Sequence, residues 1–382
     1  MKKYINISDV LWFQEGPGVR NTQYTTDGVK LLNVTNLING NVDTTNTNRY
    51  ISKEEAYGKY KHFLADEGDL VIASSGIKVE YFDKKMGFIR KEQLPLCMNT
   101  STIRFKVTDE KRLSIRYFMY YLKSNHFKEQ LGQQITGSAQ LNFGPSHLKK
   151  MVFPLIEMEE QAKIIDKLDT IYDIEYKMRT ELKLYDQLAS SLFIEMFGDP
   201  IYNSKNWQVV QIGDIAKDVR YGTSNPAVEG GKYPYLRMNN ITVDGKLDLG
   251  DLKYIDISDY ELEKYVVRKG DLLFNRTNSI ELVGKTTTFN LNEDMIIAGY
   301  IIRVRLNNQM LPEVLSQYMN LEVIKSKLRD MAKGAVNQAN INAQELQSIR
   351  VYLPDIDIQK KFVKIKCKLD KSKYSSFSHL SA

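Results

Sequence analysis

Two short segments carry residue types whose spacing invites a catalytic reading. Val283-Gly284-Lys285-Thr286 ends as a phosphate-cradling loop ends, with a lysine for the phosphates and a hydroxyl for Mg2+. The first glycine of that pattern falls on Ser279, and Thr287-Thr288-Phe289 follows as a β-favouring run where a helix N-terminus is needed to hold phosphate. Asp199-Pro200-Ile201-Tyr202 approximates the Asp-Pro-Pro-Tyr of adenine methyltransferases, but lacks the second proline and has no glycine-rich cofactor loop before it. His62, His126, His147 and His379 are scattered, and Cys97 and Cys367 lack metal-ligand spacing. No nucleophile, base and orienting carboxylate can be grouped. The expectation is a chain with no catalytic residue, no metal site and no bound cofactor.

Other polar residues suit recognition better than chemistry. Asn and Gln match adenine edges through two hydrogen bonds, Arg matches guanine, and Ser or Thr serve either role. The loop Gly137 to Gly144 carries Ser138, Gln140 and Asn142, and a later loop carries Asn337, Gln338 and Asn340. Ser74-Ser75-Gly76-Ile77-Lys78 pairs by position with Asn275-Arg276-Thr277-Asn278-Ser279, which offers Ser74 and Lys78 against Arg276 and Asn278. Two earlier glycine-containing loops add Arg20 on one side, Tyr221 and Thr223 on the other. These thirteen residues are the candidate DNA-contacting set. Lys78, Arg104, Lys149, Lys150, Arg220, Arg276 and Arg303 are the cations expected to position phosphates instead of specifying bases.

These segments come in pairs because the chain is an internal repeat. Ile7-Ser8-Asp9-Val10 returns 205 residues later as Ile212-Gly213-Asp214-Ile215. Gly68-Asp69-Leu70-Val71 returns as Gly270-Asp271-Leu272-Leu273, and Ile103-Arg104-Phe105-Lys106 as Ile302-Arg303-Val304-Arg305. Each half closes on an apolar-Pro pair, Phe153-Pro154 and Leu353-Pro354, followed by Gln161-x-Lys163 and Gln359-x-Lys361. A period of about 200 residues is a domain duplication, not a solenoid unit. Within each half, alternating apolar stretches with turn signals such as Asn39-Gly40 and Asp244-Gly245 read as strands. One or two helices follow, over Ile115 to Leu131 and Pro312 to Met331.

After Pro154 the period changes. Ile164, Leu168, Ile171, Glu175, Met178, Leu182, Tyr185, Ala189, Leu192 and Met196 fall at 4-3 spacing, the seam of a coiled coil about 50 Å long. Phe197-Gly198-Asp199-Pro200 stops it, glycine supplying the cap and proline forbidding continuation. Ile358, Phe362, Ile365 and Leu369 repeat the spacing in a shorter distal copy. The expected architecture is α+β: two similar mixed α/β domains, 1–153 and 199–355, joined by long coiled-coil helices at 154–198 and 356–382.

Bulk properties agree. The 382 residues are 42% hydrophobic and 26% charged, ordinary for a soluble globular chain, and a net charge of +6 suits a partner with a phosphate backbone. No apolar run approaches the ~20 residues of a membrane span, so a cytoplasmic protein without membrane attachment is expected.

In their order and duplication, several motifs resemble the specificity subunits of type I restriction-modification systems. They are Gly68-Asp69-Leu70 with Gly270-Asp271-Leu272, the Gly137 to Phe143 loop with Leu148-Lys149, the Pro154…Glu160-Gln161 helix start, and Phe193…Met196-Phe197-Gly198-Asp199-Pro200…Trp207. The resemblance covers nearly the whole chain. It implies that each target recognition domain binds one half of a split double-stranded DNA sequence. It implies an antiparallel coiled coil fixing the gap, with Ile164, Leu168, Ile171, Met178, Leu182, Tyr185, Leu192, Phe362, Ile365 and Leu369 as its coil and partner-facing residues. Two modification subunits would dock on this frame and methylate adenine with S-adenosylmethionine that they bind themselves. Restriction subunits, where present, would bring ATP and Mg2+. The alternatives are a stand-alone methyltransferase or nuclease, against which the missing cofactor motifs count, and a coiled-coil protein-interaction module.

Overall fold

A computed structural model describes residues 3–45, 47–134, 141–332 and 338–378. The chain divides into two compact units, Met1–Asp173 and Ile174–Ala382, and the division falls inside one helix, Met158–Phe197.

In the first unit a four-stranded antiparallel sheet runs in the order Leu11–Glu15, Thr102–Val107, Leu70–Ala73, Met86–Phe88. Its inner strands do not alternate between core and water. All four residues of Leu70–Ala73 are buried, as are the first four of Thr102–Val107, because both faces of the sheet are covered. A smaller sheet places Val29–Leu32 between Leu96–Met98, which is parallel to it, and Tyr50–Ile51, which is antiparallel. The helices Ile115–Leu122 and Asn125–Gln134 join an aromatic cluster, with Phe153 edge-on to Phe118 at 5.6 Å and to Tyr121 at 4.9 Å. The first strand, Lys3–Asn6, pairs antiparallel with Val152–Leu155, so the unit's opening strand lies beside the segment that leads into the long helix.

The second unit repeats the plan. Ala216–Tyr221, Ile301–Leu306, Leu272–Asn275 and Thr286–Thr288 form the four-stranded sheet. Tyr233–Leu236 again lies between a parallel strand, Met295–Ile297, and an antiparallel one, Lys253–Ile255. Pro312–Met319 and Glu322–Met331 are the helix pair, and Gln208–Gln211 pairs with Arg350–Leu353. The segment that imitates a phosphate loop is here a strand start. Lys285 is buried and donates to the Met238 carbonyl at 2.7 Å.

The repeat holds at the level of single atoms where each unit meets its long helix. Gln161 and Gln359 are both fully buried. Gln161 accepts from Ser114 N at 2.9 Å and donates to Arg112 O and Ile156 O at 2.8 Å. Gln359 accepts from Leu311 N and donates to Gln309 O and Pro354 O, all at 2.8 Å. Each glutamine ties the first turn of its helix to the loop ahead of the helix pair.

The central helix covers 40 residues and ends as its sequence demands. Gly198 adopts φ +84° and donates to Ile194 O at 2.8 Å, and Asp199 Oδ1 accepts from Ile201 N at 2.7 Å. Ile164 and Leu168 pack on the first core, Leu192 and Met196 on the second. Met178, Leu182 and Tyr185 are half-buried. Ile171 departs from the expected seam and is 57% exposed. Toward the C-terminus the deepest residues are Phe193 and Phe197, one position beyond the strict seam, because an unsupercoiled helix drifts relative to a 3.5-residue repeat.

The distal helix, Ile356–Ser378, docks there. Phe362 is fully buried and edge-on to Phe193 at 5.5 Å and to Phe197 at 5.2 Å, with Ile365 and Leu369 half-buried beyond it. Lys373 stands deeper on this helix, paired with Asp186 of the central helix and 3.5 Å from Asp244. No helix among the described residues is long and apolar enough to cross a membrane.

Candidate nucleic-acid interface

In each unit a short ribbon grows from the end of the four-stranded sheet. Ser75–Ile77 pairs with Leu141–Asn142 in the first, and Thr277–Asn278 with Ala339–Asn340 in the second. Asn142 faces Ser75 and Asn340 faces Thr277 in these ladders. Ser138, Gln140 and Asn337 lie outside the described residues.

The ladders correct the pairing of the two loops by one residue. Ser74 donates to Ser101 O at 2.8 Å and accepts from Phe143 N at 3.0 Å. Arg276, not Asn275, makes the matching bonds, to Tyr300 O at 2.9 Å and from Ile341 N at 2.9 Å. Anchoring the comparison on Gly68 and Gly270 alone, 202 residues apart, places Ser74 opposite Arg276 in the sequence as well.

A second equivalence lies across the sheet. Gly16 donates to Thr102 O at 3.0 Å and Gly222 to Ile301 O at 3.1 Å, which makes Glu15 the counterpart of Tyr221. Both glycines are there for backbone packing. A Cβ on Gly16 would lie 2.1 Å from Asn99 O, and one on Gly222 would lie 2.2 Å from Ile297 O. Glu15 was not among the residues singled out from sequence. Its distance of 206 residues from Tyr221, close to the 205 of the Ile7 repeat, is the signal that identifies it.

Around this frame several expected contact residues turn inward. Ser74 has no solvent exposure, and its hydroxyl lies 3.5 Å from Glu15 Oε1. Thr223 is 3% exposed, its hydroxyl accepting from Asn225 N at 3.1 Å and its carbonyl from the Tyr235 hydroxyl at 3.0 Å. Both therefore leave the surface set.

Two of the expected phosphate-positioning cations are structural as well. Arg104 is buried, bound to Asp69 at 3.1 Å and to the carbonyls of Leu64 and His62 at 2.5 and 2.8 Å. Arg303 is 1% exposed, paired with Asp218 at 2.6 Å and bonded to Val266 O. Each guanidinium is buried with its Nη atoms held by a carboxylate and by backbone carbonyls, so neither can reach a phosphate.

The remaining candidates are accessible to different degrees. Arg20, Asn142, Lys149, Lys150 and Gln338 are exposed. Lys78 is exposed and 3.8 Å from Glu80, and Arg220 is held by Asp218 at 2.8 Å. Asn278 is half-buried and donates to Asn275 at 2.8 Å, while Asn340 accepts from the Thr277 hydroxyl at 2.8 Å. Tyr221 is 41% exposed and carries the Arg276 guanidinium 4.9 Å above its ring. Burial raises the Glu15 carboxyl above its ordinary value, the Ser74 hydroxyl working the other way.

Among the described residues no group of His, Cys, Asp and Glu could hold a metal ion, and burial pushes the Cys97 thiol up to about 12. What the described residues of the two ends offer is amides, hydroxyls and the Arg276 guanidinium, whose one hydrogen bond is a long 3.4 Å contact to Gly299 O, an array suited to hydrogen-bonding a polar edge.

Comparison with known proteins agrees with the duplication. The family described as Type I restriction modification DNA specificity domain matches residues 3–184 and again 204–375. The chain is 22% identical over 354 residues to the type I restriction enzyme EcoKI specificity subunit of Escherichia coli (strain K12), covering 88% of this chain and 74% of that one. It is 23% identical over 353 residues to the StySPI specificity subunit of Salmonella potsdam, with the same coverage. Its fold matches the type I restriction-modification system S subunit from M. genitalium with a TM-score of 0.54 at 15% identity, covering all of this chain and 92% of that one. A chain from a study of complex assembly in the type I R-M system matches with a TM-score of 0.56 at 15% identity, covering 100% and 94%. Two copies of one fold, each covered by a separate match to the domain, make this chain a member of the type I restriction-modification DNA specificity family, a DNA sequence-specificity subunit.

Proposed function

We propose that the chain reads a split double-stranded DNA sequence, one half-site per domain, and presents it to modification subunits for adenine methylation. The observation that carries this reading is a duplicated framework with divergent tips. Gln161 and Gln359 make the same three bonds, whereas Glu15 and Ser74 stand where Tyr221 and Arg276 stand in the other half. Two readers of different sequences on one scaffold require that combination.

In this reading 1–153 and 199–355 are the target recognition domains, while 154–198 and 356–382 are the helical spacer on which two modification subunits dock. S-adenosylmethionine belongs to those subunits, and ATP with Mg2+ to restriction subunits where they are present. Half-sites about 10 bp apart, centre to centre, lie on one face of the duplex and suit a rigid spacer. The exposed apolar residues of the central helix, Ile171, Ile174, Leu184 and Leu188, are the surface we assign to partner contact.

The test is the adenine methylome of a methylation-free host carrying this gene with its neighbouring modification gene, compared with the modification gene alone. A new split motif that depends on this chain is the expected result. With both proteins expressed, absence of any new motif would overturn the reading.

A further inference from the structure

The same place in the two halves holds chemistry of opposite kinds. In the first, the Glu15 carboxylate sits 3.5 Å from the buried Ser74 hydroxyl. In the second, Arg276 lies over Tyr221. Both members of the second pair are held. Tyr221's hydroxyl accepts from Ala343 N at 2.8 Å, and Arg276 is hydrogen-bonded through its backbone on both sides.

The guanidinium itself is scarcely used. Nη1 has one long contact, 3.4 Å to Gly299 O, while Nε is buried without a partner, so the fork that can face a ligand is the Nη end. The neighbouring arginines differ at that end, since both Nη atoms of Arg303 are held by Val266 O and Asp218, and Arg305 is bound to Asp271 at 3.0 Å and to Val266 O. An arginine fixed by stacking, with its donor fork unspent, is prepared to give two parallel hydrogen bonds to one pair of acceptors.

Two acceptor pairs on DNA fit such a fork, the oxygens of a phosphate and the O6 and N7 of guanine. The surroundings decide between them. Thr277, Asn278 and Asn340 on the ribbon and Gln338 beside it are uncharged hydroxyls and amides, side chains that read base edges, and among the described residues of the ribbon there is no second cation.

We propose that Arg276 is the guanine-reading residue of the second half-site and that Tyr221 is its positioning residue. The assignment rests on the DNA-reading function proposed above and adds the base. The first half has no donor fork at the equivalent place, so its half-site is read without this contact.

The experiment compares wild type, Arg276→Ala, Arg276→Lys and Tyr221→Ala in the complex with the modification subunit. Methylation motifs are recorded, and binding is measured on duplexes with each base pair of the wild-type motif replaced singly. The wild-type second half-site is expected to contain one G·C pair whose replacement weakens binding roughly 5- to 150-fold. Arg276→Ala should erase discrimination at that one position and leave every other position in both half-sites unchanged. Arg276→Lys keeps the charge but not the fork and should also lose discrimination there. Tyr221→Ala, which leaves Arg276 present but unstacked, should reduce it in part.

A melting temperature within a few degrees of wild type shows that each variant is folded, and Arg276→Lys carries the test if Arg276→Ala is not. Unchanged preference at every position in both Arg276 variants would overturn the assignment. So would a uniform loss across all sequences with a shallower salt dependence, the mark of a phosphate contact. A wild-type complex that methylates no motif overturns the DNA-reading function itself, a result distinct from either.

Discussion

Replacing Gln359 with alanine tests whether the two halves are stabilised by the same device. The side chain is fully buried and makes three hydrogen bonds, from Leu311 N and to Gln309 O and Pro354 O. Its removal strands one donor and two acceptors at the root of the distal helix. At about 1 kcal/mol for each lost bond, rising toward 2 where the group stays dry, the cost is about 3–5 kcal/mol. That is a large share of the roughly 5–15 kcal/mol that holds a domain together. Because Gln161 is wired identically, Gln161→Ala should cost the first unit the same amount.

Urea unfolding can report the units separately, since the two tryptophans, Trp12 and Trp207, fall one in each. Trp207 is bonded through Nε1 to Phe197 O at 2.9 Å, so in a Trp12→Phe background its fluorescence follows the second unit. The expected result is a lower midpoint with an unchanged slope. A change below about 0.5 kcal/mol, the range of an ordinary surface substitution, would refute the reasoning. A more than twofold difference between the two glutamines would refute the equivalence.

Two further outcomes follow from the geometry. Burial raises the Glu15 pKa in the folded state, so the stability tied to its neutral form is complete below the ordinary value of 4.5 and is lost as pH rises through the folded value. Glu15→Gln should therefore melt above wild type at pH 7, with the difference closing on acidification below 4.5, and a gap that widens in acid would contradict this. Phe362→Ala removes the ring packed against Phe193 and Phe197 and should cost about 3–5 kcal/mol. Hydrogen exchange should then show lost protection across 356–373 with residues 3–134 unaffected, and retained protection of the distal helix would show that Phe362 does not anchor it.

The parts legible in the sequence were those written twice. Gly68-Asp69-Leu70 and Gly270-Asp271-Leu272 sit at matching strand starts, and Phe197-Gly198-Asp199-Pro200 ends the helix as its residues require. What sequence could not give was which polar residues face inward. Arg104 and Arg303 lie on strands buried on both faces, where alternation no longer separates core from solvent, and distant carboxylates neutralise them. Ser74 and Thr223 look like surface residues because Gly, Ser and Asn surround them, yet sheet ends bury both. The 4-3 pattern marked the helix but not the place where it drifts. Phe193 and Phe197 form the contact in place of an extended seam, and Ile171 is left in solvent.

The paired end strands of each unit have a consequence for how new targets arise. Ile5 lies opposite Phe153 and Val210 opposite Val351, so each half enters and leaves its fold at one zipped seam. A half bounded in this way is a cassette. A reader exchanged at those strands would carry with it the loop that its glutamine grips, Arg112 and Ser114 in one half and Gln309 and Leu311 in the other, so the incoming module has to bring the same backbone partners. What such an exchange must preserve is the helix-facing surface of the module, where Ile164 and Leu168 or Leu192 and Met196 pack, and not its tips.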